Sequence, residues 1–183
     1  GGGEGTQIDD NTMLRRPGSG IFSMGMSQVA NRPFSLSEWI HVTPNEWGGD
    51  GAAILGSYGM GLQGWDVSFI FQNRDEGTYS SRIGRDQWDA TAPQIMALFP
   101  AVARQVHRGD VQESKLLIPR NVHVPSLQQG KLGFDDRASA IGDVKTSDSA
   151  TVPLEALAIG RCVVDFTQEP KPTSQFSAQL FLR

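Results

Sequence analysis

The chain has 183 residues, 38% of them hydrophobic, which is enough to bury a core of one domain or a domain and a half. Sixteen basic against twenty acidic residues leave a net charge of -4. The cations are scattered instead of striped, so no nucleic-acid partner is expected. No apolar run approaches the roughly 20 residues of a membrane helix, so no membrane partner is expected either.

Residues 1 to 19, rich in Gly, Asp, Asn and Arg, read as a long loop. Ile21 to Ala30, with Phe22, Met24, Met26 and Val29, reads as a short helix. It feeds an apolar run, Pro33 to Trp39, that ends in a carboxylate, Glu38. A second run, Trp65 to Gln72, follows one helix-length later, and between them Asp50 to Met60 is small and apolar at helical spacing. Strand, helix and strand in that order predict a parallel βαβ unit. In parallel barrels the reacting groups sit where strands end, which makes Glu38 the candidate catalytic residue. Asp66 begins the second strand and reads as structural, and Asp50 reads as a cap of the helix.

Asn73 to Asp89 reads as a polar loop, and Ala92 to His107 as one helix carrying Ile95, Leu98, Phe99, Val102 and Val106, stopped by Arg108-Gly109-Asp110. From Glu113 the texture changes to short runs punctuated by Pro, Gly and Asp. These predict a small antiparallel β domain in which 160 to 167 pairs with 175 to 182. The expected division is therefore 1–112, an α/β segment, and 113–183, a β-sandwich-like domain. Cys162, alone in an alternating run, is expected to be buried and unpaired.

All four tryptophans, Trp39, Trp47, Trp65 and Trp88, fall between residues 39 and 88. A carboxylate among indoles suits a sugar, whose C–H faces stack on aromatic rings while its hydroxyls pair with carboxylates and amides. Trp39 and Trp65 read equally well as core, and Trp47, in a Gly-rich polar loop, is the better ligand-facing candidate. Gln72, Asn73 and Arg74 close the second strand, where they would either bond substrate hydroxyls and orient Glu38 or form a solvated loop. His41, His107 and His123 lie far apart in sequence, so no metal is expected, and no cofactor is implied. Gly48-Gly49-Asp50-Gly51 lacks the Lys-Ser/Thr of a phosphate-binding loop.

The series Pro33 to Trp39, Pro44-Asn45, Tyr58, Leu62 to Asp66 and Phe69 to Gln72, continuing through Ile95 to Val111, resembles the last two βα units of the clan A retaining glycoside hydrolases. The β-galactosidases of family 42 and related barrel enzymes give the nearest pattern. The similarity covers roughly residues 12 to 112 and, more weakly, the tail.

The resemblance implies a (β/α)₈ barrel whose remaining strands lie upstream, followed by the small antiparallel domain. It further implies an oligo- or polysaccharide substrate and Glu38 as nucleophile, with Trp39, Asn45, Trp47, Gln72, Asn73 and Arg74 as substrate-binding candidates. An extracellular or periplasmic setting would suit a polysaccharide-degrading enzyme. The acid/base of that clan follows the fourth strand, so it is expected outside this chain, and Glu46 reads as a loop carboxylate. Such a fragment alone would be inactive. The competing reading is a non-catalytic carbohydrate-binding or interaction module, in which Glu38 only bonds a ligand.

Overall fold

The computed structural model describes residues 12–15, 20–41, 50–72, 88–130, 137–138, 145–146 and 152–171. Mixed helices and small parallel sheets make the architecture α/β-like. The first sheet joins β1 (Ser35–Trp39) and β2 (Val67–Ile70) in parallel, as the spacing of the two apolar runs requires. Asp66 fixes the N-terminal end of this pair: its Oδ2 accepts the Phe34 N–H at 2.8 Å, and its own N–H donates to the Phe34 carbonyl at 3.1 Å. At the other end the Phe71 N–H donates to the Trp39 carbonyl at 2.7 Å. Asp66 is thus the structural residue that its position suggested.

The connection is helical in two styles. α1 (Asp50–Ile54) runs directly into a π-helix, Leu55–Leu62. The first buries Ala52 and Ile54 in the same hydrophobic cluster as Leu36 and Trp39, and the second presents Gly56 to the neighbouring helix α3 (Phe99–Arg108). A Cβ at Gly56 would overlap Val102, so the absence of a side chain sets how closely the two helices approach. Ser57 and Gln105 bond across the same contact at 3.0 Å.

The single helix expected over 92–107 is divided in two, α2 (Pro93–Met96) and α3. Pro100 supplies the reason. It has no N–H for the Met96 carbonyl, and its ring would collide with that carbonyl in a continuous helix. The expected stop is in place, with Gly109 in the left-handed region at φ 64°. The first expected helix is a 3-10 helix, Gly20–Ser27, with Phe22 fully buried.

The part beyond residue 112 departs from the expected antiparallel β domain. Its longest described strands, β3 (Leu117–His123) and β6 (Arg161–Thr167), pair in parallel over seven residues. A parallel pair needs a long crossover, and helix α4 (Val124–Gln128) and a 3-10 helix, Leu154–Ala158, lie within it. Local alternation identified strands there but carried no information about their direction. Antiparallel pairing among the described residues is confined to β4 (Arg137–Ala138) with β5 (Lys145–Thr146). The other edge of β6 is met by Val29 through a parallel bridge to Val164. The expected partner strand, 175 to 182, lies outside the described residues.

One hydrophobic cluster draws on both sides of residue 112, joining Phe22, Leu36, Trp39, Leu55 and Trp65 to Ile118, Val152, Leu157 and Cys162. Burying each large side chain contributes about 1.5 to 3 kcal/mol. Gln63 ties the two parts together within it. Fully buried, it donates through Nε2 to the carbonyls of Leu157 at 2.6 Å and Gly160 at 2.5 Å, and its Oε1 accepts the Cys162 N–H at 2.9 Å. Gln28 adds a bond to the Gln63 carbonyl at 3.1 Å. Cys162 is buried and free, as its alternating context predicted.

Candidate functional site

Strict alternation along β1 would place Leu36 and Glu38 on one face and Trp39 on the other. The register instead slips between Leu36 and Trp39, so that both are buried on the helix side while Ser37 and Glu38 are exposed. Glu38 therefore projects from the open face of the sheet, near the C-terminal end of its strand. Phe69 of β2, 56% exposed, shares that face, because its neighbours Ser68 and Ile70 pair with Leu36 and Trp39 on the covered side.

Trp39 faces the other way. Its ring stacks on Phe99 with centroids 6.5 Å apart and planes 16° apart, and only 5% of the residue is exposed. It helps to wall a mostly apolar cavity of about 370 Å³ between the sheet, the helical connection and α3, with Ser68 and His107 among its few polar lining residues. This cavity lies on the face away from the Glu38 carboxylate. Trp65 is also core, packed on Phe34 at 5.0 Å and Phe22 at 6.1 Å. The bland reading of these two indoles is therefore the one the packing matches.

Gln72 sits just past β2, where its Oε1 accepts the Ala90 N–H at 2.6 Å, tying the strand end to the turn that opens α2. Asp89 shapes that turn by accepting from the Thr91 N–H at 3.0 Å and hydroxyl at 2.5 Å. Asn45, Glu46, Trp47, Asn73 and Arg74 lie outside the described residues, as does the polar loop over 73–87.

One feature near Glu38 was not singled out from the sequence. His41 follows β1, and its Nδ1 lies 3.2 Å from Oδ1 of Asp50, the first residue of α1; their side chains are 15% and 17% exposed. The approach is too oblique for a well-aligned hydrogen bond. Asp50, expected as a cap, is instead a helical residue whose carboxylate sits at the positive end of the helix. The signal for the pair was a histidine and an aspartate at opposite ends of one loop.

Among the described residues there is no group of three or more His, Cys, Asp or Glu side chains that could hold a metal ion, and no helix is long and apolar enough to cross a membrane. No family model, curated protein or solved structure matches the chain.

Proposed function

We propose that this chain supplies the nucleophile of a retaining glycoside hydrolase acting on an oligo- or polysaccharide, and that β1 and β2 with their helices are the last two βα units of a (β/α)₈ barrel. The observation that carries this reading is the exposed carboxylate of Glu38 near the C-terminal end of β1, beside a parallel neighbour reached through a helical crossover. Strand ends of that kind are where barrel enzymes place their reacting groups. The open face that holds Glu38 would be the barrel interior, and the face of Trp39 and α3 its helical shell.

In this scheme a Glu38 carboxylate oxygen attacks the anomeric carbon as the glycosidic C–O bond breaks. A second carboxylic acid, about 5 to 5.5 Å away and contributed from outside this chain, protonates the departing oxygen. The same group then takes a proton from water, whose oxygen attacks the glycosyl ester and releases Glu38. Gln72 acts by holding the end of β2, through its bond to Ala90.

The test is covalent trapping. A 2,4-dinitrophenyl 2-deoxy-2-fluoroglycoside needs no acid to expel its leaving group, so it reports on the nucleophile alone. In the intact enzyme it should add one glycosyl mass to the peptide containing Glu38. Sugar binding without any adduct would favour the non-catalytic carbohydrate-binding module, and an adduct on another residue would remove Glu38 from the role.

A further inference from the structure

We propose that His41 and Asp50 form a positioning pair that holds the end of β1, and with it Glu38, in the geometry for attack. The inference rests on the glycosidase reading. Glu38 is on an exposed face, and the register of its strand against β2 is broken between Leu36 and Trp39. Sheet pairing alone therefore fixes the strand end weakly. The Trp39 carbonyl has one bond to the next strand, from Phe71, and beyond it the chain leaves the sheet.

Three contacts converge on this end. Trp39 stacks on Phe99 of α3. His41 meets Asp50 at 3.2 Å, with both side chains largely withdrawn from water, where a polar contact is screened less than at a surface. Gly51 completes the clasp: a Cβ there would stand 3.3 Å from both the His41 Cβ and the Trp39 ring, so the helix start fits against the strand end only without a side chain. Asp50 also belongs to the first turn of a helical segment that runs on to Leu62, a rigid mount for its carboxylate.

The clasp thus joins the residue after Glu38, and the residue three beyond it, to the first turn of α1. A nucleophile needs placement more than it needs affinity, since displacement by about 1 Å lowers rates by about a hundredfold with little change in binding. His41 and Asp50 are positioning residues in this scheme, and neither contacts the sugar.

The trapping reaction of Glu38 by the fluoroglycoside in the intact enzyme separates this idea from the one on which it rests. His41→Ala and Asp50→Ala should slow trapping at saturating probe by about tenfold or more, while the half-saturating concentration changes by less than about threefold. His41→Asn, which keeps a polar side chain opposite Asp50, should recover part of the rate. Gly51→Ala removes no polar group, keeps the fold within reach, and should show the same rate-specific loss if either alanine variant fails to fold.

Wild-type trapping rates in the folded His41 and Asp50 variants would overturn the proposal, as would a loss confined to half-saturation. If the alanine variants do not fold, a wild-type rate for Gly51→Ala overturns it equally. Absence of any adduct on Glu38 in the wild-type enzyme would instead refute the glycosidase reading itself.

Discussion

Glu38 and Trp39 are neighbours in sequence and opposites in space: the carboxylate stands on the open face of β1, and the indole is buried against Phe99 on the other. Removing the Glu38 carboxylate should leave the packing of Trp39 intact. On the proposed glycosidase reading, Glu38→Gln should lower turnover of the intact enzyme by on the order of a thousandfold or more, about 4 kcal/mol in barrier, without changing the melting temperature. Trp39→Ala should cost about 3 to 5 kcal/mol of stability and, by loosening the clasp on the end of β1, should slow the reaction of Glu38 as well. Kinetics and thermal melts on the two variants check both outcomes.

Gln63 should prove more important to stability than any surface charge. Replacement by Leu leaves the carbonyls of Leu157 and Gly160 and the Cys162 N–H without their partner in a buried setting. Each orphaned group costs about 1 to 3 kcal/mol, so urea unfolding should register a loss of several kcal/mol. Gln28→Ala, which breaks the side-chain bond to the Gln63 carbonyl, should cost about 1 kcal/mol beyond its lost packing. Equal losses from the two variants would show that Gln63 is not the bridge between the two parts of the chain.

The parallel pairing of β1 with β2 was legible because two apolar runs separated by a helix-length segment leave few alternatives. Asp66 was legible too, as a polar residue at the strand's start. The slip between Leu36 and Trp39 was not, since periodicity assumes regular pleating, and only the burial of Trp39 against α3 selects the irregular backbone. Gln63 was hidden for another reason: an amide reads as surface unless its three partners, about a hundred residues downstream, are already in place. The direction of β3 against β6 failed in the same way, because strand direction is set by the crossover and the tertiary contacts of Val29 and Gln63. His41 and Asp50 were each visible, but their meeting depends on how the intervening loop returns.

Cys162 gives a prediction in pH. Burial pushes its thiol from an ordinary 9.0 up to about 12, because the thiolate would lose its hydration. Below pH 9 the thiol is neutral in both folded and unfolded chains and contributes no pH dependence. Between about 9 and 12 the unfolded chain releases this proton while the folded chain keeps it, so stability falls as pH rises, by up to about 1.4 kcal/mol per unit. Cys162→Ala should flatten that part of the stability curve measured by urea unfolding. In the folded protein at pH 8, alkylation of Cys162 should require unfolding, and rapid labelling under native conditions would contradict its burial.

Phe69 bears on how this 183-residue chain behaves by itself. It is 56% exposed on the face that carries Glu38, and a wet aromatic side chain forgoes about 25 cal/mol for each Å² of apolar surface it could bury. Leu36 is buried on the helix side, and Phe34 is packed on Trp65, so the open face is narrower than the apolar content of the two runs suggests. On the barrel reading, the isolated chain should be inactive on aryl glycosides and should self-associate through that face. Phe69→Lys should then shift sedimentation toward monomer, because a charge on the face cannot be buried against a second copy without a partner. Leu117→Lys, on β3 of the second sheet and 51% exposed, should have the smaller effect. A wild-type chain that stays monomeric at all concentrations, melts sharply and turns over aryl glycosides would show that the face is complete as it stands, and the barrel would no longer be needed to cover it.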